Sequence, residues 1–161
     1  MKHPSEDMSA SNEHEEFRTL RGFLAGEEPD EKPYFCFSAT LRIVGTDVPL
    51  DEISKHLGMK PTFQRRKGER RGSRSLPFVD DGWFLESGLA ETEPLERHLL
   101  ALWAVVRPNV QYLKSLKERF TVDVFCGYRS NCDHAGFEVP HQCLELFTAL
   151  EIPLGVSVII A

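Results

Sequence analysis

The feature of this sequence that most constrains its fold is the alternation of strand-like and helix-like segments after residue 33. Residues 34–45 are rich in aromatic and β-branched side chains and end in glycine, which predicts a long β-strand. Residues 48–58 have proline near the start, acidic residues in the first turn and glycine at the end, which predicts a helix. Thr92 is a predicted N-cap and Pro108 a predicted helix end. Similar patterns predict strands over 81–87, 121–128, 136–139 and 154–160, and helices over 93–107, 109–119 and 141–150.

This order of elements predicts a fold of the α+β class. The strands over 121–128 and 136–139 follow each other as in a hairpin, so we expect a mixed, mostly antiparallel sheet. Helices are expected mainly on one face, in a ferredoxin-like arrangement. The strand over 154–160, LGVSVII, is apolar enough to predict a central position in the sheet. A weak internal βαβ duplication is an open alternative, because Val48-Pro49 and Val139-Pro140 each lead from a strand into a helix.

Residues 1–32 differ in composition from the rest of the chain. They carry nine acidic and four basic residues, a charge of −5, whereas all 161 residues together carry −6. We therefore expect a largely flexible acidic extension over 1–32 and a single α+β domain over 33–161. Residues 12–25 have apolar side chains at roughly helical spacing, which predicts a short helix on the domain, a frayed tail or a partner-binding segment.

The distribution of apolar residues and cysteines indicates where the protein works. No apolar run approaches the ~20 residues that a membrane helix needs, and the first residues contain no apolar signal core. The four cysteines are too scattered for a secreted disulfide scaffold, and Cys36 and Cys126 are expected to be small buried hydrophobes. The prediction is a cytoplasmic protein that does not contact membranes.

A basic stretch, QRRKGERRGSR at 64–74, interrupts an otherwise acidic chain. Arginine binds phosphate and carboxylate well, so the stretch is a candidate handle for nucleic acid or another phosphate ligand. It contains no aromatic residue for base stacking, and the remaining chain is acidic. A solvated or intramolecular loop, a protein partner and the acidic extension are the other interpretations. The candidate residues are Arg65, Arg66, Lys67, Arg70, Arg71 and Arg74.

A second cluster contains residue types that bind zinc. Its spacing matches no zinc knuckle, and helical periodicity assigns Cys143 to the core. We therefore predict no metal here and keep a zinc or enzymatic site around 132–143 only as an alternative. The residues of this cluster are Cys132, His134, His141 and Cys143.

Catalytic chemistry has little support in the sequence. Cys132 and His134 lie in a polar turn, which would hold a nucleophile and its base poorly. Asp80 and Asp81 are adjacent before a strand, where a turn is more common than a pair of catalytic carboxylates. The chain contains no P-loop, G-x-S-x-G or H-E-x-x-H motif. No catalytic residue and no cofactor are therefore predicted.

Several short motifs resemble a known family. ATLRIVGTDVPLDEISKHLGMKPT is followed by a polar loop with Lys67-Gly68-Glu69, then Asp81-Gly82-Trp83, LERHLLALW and LEIPLGVSVII. This order resembles the bacterial domain-of-unknown-function family 4279 over residues 34–160. The resemblance implies a fold and a bacterial-type source, and it implies no catalytic residues.

Together these patterns predict a non-catalytic module that binds a protein partner or forms a homo-oligomer. A regulatory or immunity-type role is expected only by analogy with other small acidic α+β domains. Nucleic-acid or phosphate binding through the loop and a zinc or enzymatic site around 132–143 are the alternatives.

Overall fold

The computed structural model describes residues 32–132 and 136–161, so the predicted helix over 12–25 and His134 lie outside the described residues. No helix in the described part is long and apolar enough to cross a membrane. The elements in chain order are β1 (Phe35–Gly45), α1 (Leu50–Leu57), β2 (Phe63–Arg65), β3 (Asp81–Glu86), α2 (Leu95–Val106), a 3-10 turn (Arg107–Asn109), α3 (Val110–Leu116), β4 (Thr121–Ser130), α4 (His141–Leu150) and β5 (Gly155–Ile160).

The five strands form one open sheet in the order β2-β3-β1-β4-β5. Every neighbouring pair is antiparallel except β4 and β5, which are parallel and are joined through α4. The predicted α+β class with a mixed, mostly antiparallel sheet is therefore confirmed. The ferredoxin-like arrangement stays a prediction, because β5 adds a parallel strand beyond the β-α-β-β-α-β order. The internal duplication also stays a prediction.

One face of the sheet is buried under the helices. Along β4 the side chains of Val122, Val124 and Cys126 are buried, and they alternate with side chains that are exposed or half-buried. Trp83 of β3 is completely buried, and its indole N–H donates to the Ser54 hydroxyl of α1 at 3.0 Å. Burying an aromatic side chain with its polar N–H paired is strongly stabilising. The opposite face of the sheet carries no helix among the described residues, and we call it the open face.

Two predicted strand positions are wrong: the strand over 136–139 and the central place of β5 in the sheet. Residues 136–139 form no strand, because β1 and β5 already occupy both sides of β4. Phe137 instead packs on the rings of Phe37 and Tyr128, at centroid distances of 6.0 and 5.4 Å. β5 lies at the edge of the sheet and not at its centre. Most of its apolar side chains are therefore exposed to solvent and not buried.

The helix boundaries follow the predictions with small differences. α4 spans the predicted residues, and α1 ends at Gly58, whose φ of 69° is left-handed and suits glycine. The predicted cap at Thr92 is wrong, because α2 begins after Pro94 and no side chain caps it. Pro108 lies in the 3-10 turn between α2 and α3, in agreement with its predicted role as a helix end. β2 was not predicted, since three residues carry too little pattern.

Candidate protein-binding edge

β5 forms one edge of the sheet and exposes three consecutive large apolar side chains. Val158 is 57 % exposed, Ile159 54 % and Ile160 48 %. Adjacent residues of a strand point to opposite faces, so this exposure covers both faces of the edge. The strand contains no charged residue and no proline, which are the residues that usually protect an edge from pairing.

The backbone of β5 presents hydrogen-bonding groups outward. The N–H of Ala161 donates to the carbonyl of Ser130 in β4 at 3.0 Å, so residue 161 faces β4. Backbone groups alternate in direction along a strand, and residues 155, 157 and 159 therefore also face β4. The N–H and C=O groups of Val156, Val158 and Ile160 face away from β4, on a side where the described residues place no further strand. An extended chain that approaches this side would meet a complete row of donors and acceptors.

The open face beside β5 is shallow and is crossed by a row of small residues. Ser38, Gly127 and Ser157 align in register across β1, β4 and β5. A Cβ on Gly127 would lie only 2.5 Å from the Ser38 hydroxyl oxygen, so the close approach of Ser38 requires glycine at this position. Two shallow cavities of about 310 and about 200 Å³ run along β4 and β5, and both are lined by Phe125 and Ser157.

Two ion pairs border this region, and each neutralises its own charges. The Arg42 guanidinium donates to both carboxylate oxygens of Asp123, at 2.7 and 2.8 Å, and lies 4.9 Å from the centroid of the Phe125 ring. The hydrogen bond to Asp123 raises the pKa of Arg42 above its ordinary value. Arg129 donates to Glu91 at 3.2 Å. The surface beside β5 thus combines small polar side chains with apolar ones, and paired charges lie at its margins.

The basic stretch is tied to the rest of the domain through Asp81, whose side chain is buried. The carboxylate accepts the backbone N–H of Val48 at 3.0 Å, the backbone N–H of Lys67 at 2.8 Å and the Arg66 guanidinium at 3.4 Å. The hydrogen bond from Lys67 is the main reason that the pKa of Asp81 lies below its usual value, and burial opposes it. Sequence reasoning missed this anchor, although Lys67-Gly68-Glu69 and Asp81-Gly82-Trp83 were both noted as motifs.

Two of the six basic side chains form ion pairs with acidic side chains of the domain. Arg65 pairs with Asp80 and lies between the rings of Phe78 and Phe84, 5.0 and 5.2 Å from their centroids. Arg66 also donates to the carbonyl of Val48 at 2.8 Å. These contacts direct both guanidinium groups toward the protein, so fewer charges remain for an external phosphate.

The other four bases of the stretch are exposed, as Arg66 also is. Arg70 donates to the carbonyl of Ser75 at 2.9 Å, and Arg71 lies 6.0 Å from the centroid of the Phe63 ring. Lys67 and Arg74 complete this exposed group. Phosphate binding by these residues stays a prediction.

The residues of the zinc alternative differ in their burial. Cys143 is completely buried in α4, and its Sγ lies 3.7 Å from the carbonyl oxygen of Glu96. Burial raises the pKa of the Cys143 thiol, which disfavours the thiolate that binds zinc. Cys132 is also buried, whereas His141 is exposed at the start of α4. Within 32–132 and 136–161, no three His, Cys, Asp or Glu side chains are grouped to hold a metal.

A hydrogen-bonded pair of a half-buried serine and a buried histidine was not predicted. The Ser87 hydroxyl lies 2.6 Å from Nδ1 of His98, which is 2 % exposed, and Nε2 of His98 has no hydrogen-bond partner among the described residues. A catalytic base must reach a substrate proton, and this ring is enclosed by the core. The pair fixes the start of α2 against the end of β3.

Comparison with known proteins identifies the family. A family model described as Domain of unknown function (DUF4279) matches residues 34–160, a range that includes every strand and helix described above. Neither curated proteins nor solved structures gave a significant match. Because the matched range covers well over half of the chain, the protein belongs to the DUF4279 family.

Proposed function

We propose that this domain is a non-catalytic protein-binding module that accepts a β-strand at the β5 edge. The observation that carries the proposal is the row of outward backbone groups at Val156, Val158 and Ile160. The exposed apolar side chains of the same strand accompany it. Strand addition uses these two features, because backbone hydrogen bonds supply affinity and alternate side chains supply specificity.

The surroundings of β5 support the same function. The open face beside it offers Phe125 and Ile159 as apolar contacts, since they are 39 % and 54 % exposed. Aromatic residues at the centre of a contact surface with polar groups at its margin are typical of protein interfaces. The bordering pairs Arg42–Asp123 and Arg129–Glu91 would form that polar margin.

Selection from random displayed peptides tests this proposal, with the immobilised domain as the target. We expect enrichment of extended sequences in which β-branched residues alternate, because these fit the pleated edge. In the complex, the amide hydrogens of Val156, Val158 and Ile160 should exchange more slowly, as measured by NMR.

Two variants at one position separate backbone pairing from side-chain contact. Val158→Pro removes an outward N–H that the fold does not use, so folding should persist and binding of the selected peptides should fall at least tenfold. Val158→Thr keeps the N–H and the β-branched shape, and it serves as the matched control. Equal binding by the proline variant and the parent would contradict strand addition at β5.

A further inference from the structure

We infer that the strand accepted at the β5 edge is β5 of a second copy of this chain, antiparallel and centred on Val158. This inference rests on the proposed function and names its partner. A two-fold interface requires one surface to complement itself. The β5 edge meets this requirement in its backbone groups, in its side chains and in its lack of charged residues.

The outward backbone groups determine the register. In an antiparallel pair, opposite residues that face each other exchange both N–H···O=C bonds. With Val158 opposite Val158 of the second copy, Val156 lies opposite Ile160 of the second copy. Every outward N–H and C=O of the strand then has a partner. A register centred on Ser157 would leave the outward groups of Ile160 opposite residue 154, which lies outside the strand.

The side chains also match in this register. On the helix-covered face, the Val158 side chains of the two copies would contact each other, and Val156 of one copy would contact Ile160 of the other. On the open face, Ser157 would contact Ile159. Cross-strand pairs of β-branched residues stabilise a sheet, and like charges directly opposite each other destabilise it. Because β5 has no charged residue, a second copy brings no like charges into opposition.

The size of the surface sets the expected affinity. A standard stable interface buries about 800 Å² on each partner. Because the contact is built on a strand of six residues, we expect it to bury less area than a typical obligate interface. We therefore expect a dimer with a Kd of roughly 1–100 µM rather than a permanent assembly.

Sedimentation of the full chain from about 1 µM to about 1 mM tests the inference across the expected range. We expect the dimeric fraction to rise across this range and to predominate at the high end. Val158→Lys should weaken association at least tenfold, because the lysines of the two copies would lie directly opposite each other. Val79→Lys introduces the same residue at a loop position that is 80 % exposed, and its association should match the parent. Circular dichroism confirms that each variant is folded.

Crosslinking tests the register. In a Cys36→Ser background, Val158→Cys should crosslink to itself with a one-carbon bis-thiosulfonate, since facing residues lie about 5.5 Å apart. Ile160→Cys is the matched control, because residues 160 of the two copies would lie about 14 Å apart along the strands. Efficient crosslinking at 160 instead of 158 would overturn the register.

The outcomes separate this inference from the proposed function. A parent protein that stays monomeric at about 1 mM overturns the second copy as partner. If selected peptides still bind at β5 in that case, the proposed function stands. If Val158→Lys changes neither self-association nor peptide binding, both the inference and the proposed function fail.

Discussion

The two edges of the sheet differ in length, charge and protection. β2 is three residues long and follows Pro61, and at its end Arg65 pairs with Asp80. β5 is six residues long, has no charge and presents Val158 and its neighbours to solvent. Edge strands are usually shortened or charged so that they do not pair with other chains. The first edge follows this pattern and the second does not.

The loop after β2 is fixed by internal hydrogen bonds. The N–H of Gly68 donates to the carbonyl of Phe78 at 2.9 Å, and the N–H of Phe78 donates to the carbonyl of Glu69 at 2.8 Å. Asp81 holds the start of the same loop from within the core. The β2 edge is therefore short and is followed by a basic stretch fixed by internal contacts, whereas the β5 edge is longer and apolar.

Removing the anchor of the β2 edge should have the largest effect. Asp81→Ala leaves the N–H groups of Val48 and Lys67 without their acceptor, and we expect the free energy of unfolding to fall by about 2–4 kcal/mol. Urea denaturation measures this change. Asp80→Ala is the matched control at the adjacent, more exposed carboxylate, and a loss as large as that of Asp81→Ala would show that Asp81 is no special anchor.

Acidification should weaken the same edge. The pKa of Asp81 is lower in the folded protein than in the unfolded chain, so its contribution is fully present above about pH 4, the unfolded value. It is lost as the pH falls from there through the folded pKa, because protonation then favours the unfolded chain. Urea midpoints at descending pH measure this loss. Asp81→Asn should flatten the dependence, and an unchanged slope in that variant would contradict the assignment.

Arg65 should contribute less than Asp81. Arg65→Met keeps the apolar stem between Phe78 and Phe84 but removes the ion pair with Asp80, and we expect a loss of about 1 kcal/mol in unfolding free energy. Arg74→Met changes an exposed base of the same stretch and should have no measurable effect. Equal losses in the two variants would show that the internal contacts of Arg65 do not stabilise the edge.

At the other edge, Val158→Lys should change association without changing folding. The side chain is 57 % exposed, so the free energy of unfolding measured at low protein concentration should stay within about 0.5 kcal/mol of the parent. A loss above about 1.5 kcal/mol would mean that Val158 belongs to the core of the monomer.

The smallest expected effect concerns nucleic acid. With Arg65 and Arg66 in internal contacts, we expect no measurable binding of mixed-sequence RNA or DNA at physiological salt. A titration at low and physiological salt measures this. Salt-dependent binding that disappears when Lys67, Arg70, Arg71 and Arg74 are changed to Ser would instead support the phosphate prediction.

The fold was predictable where the pattern is local. The helix stop at Gly58 and the span of α4 follow from residues within one or two turns. The position of β5 was not predictable, because an apolar strand can have the same composition at the centre of a sheet as at an exposed edge. Asp81 was missed for a similar reason, since its donors at Val48 and Lys67 are 33 and 14 residues away along the chain.

The central place of β1 has a consequence for synthesis of the chain. β1 pairs with β3 on one side and with β4 on the other, and the bond between Arg42 and Asp123 joins residues 81 positions apart. During translation, the apolar face of β1, with Leu41 and Ile43, is completed only when β4 has left the ribosome. Pairing over such a distance makes folding slow, so the nascent chain spends this interval with its central strand exposed to chaperones.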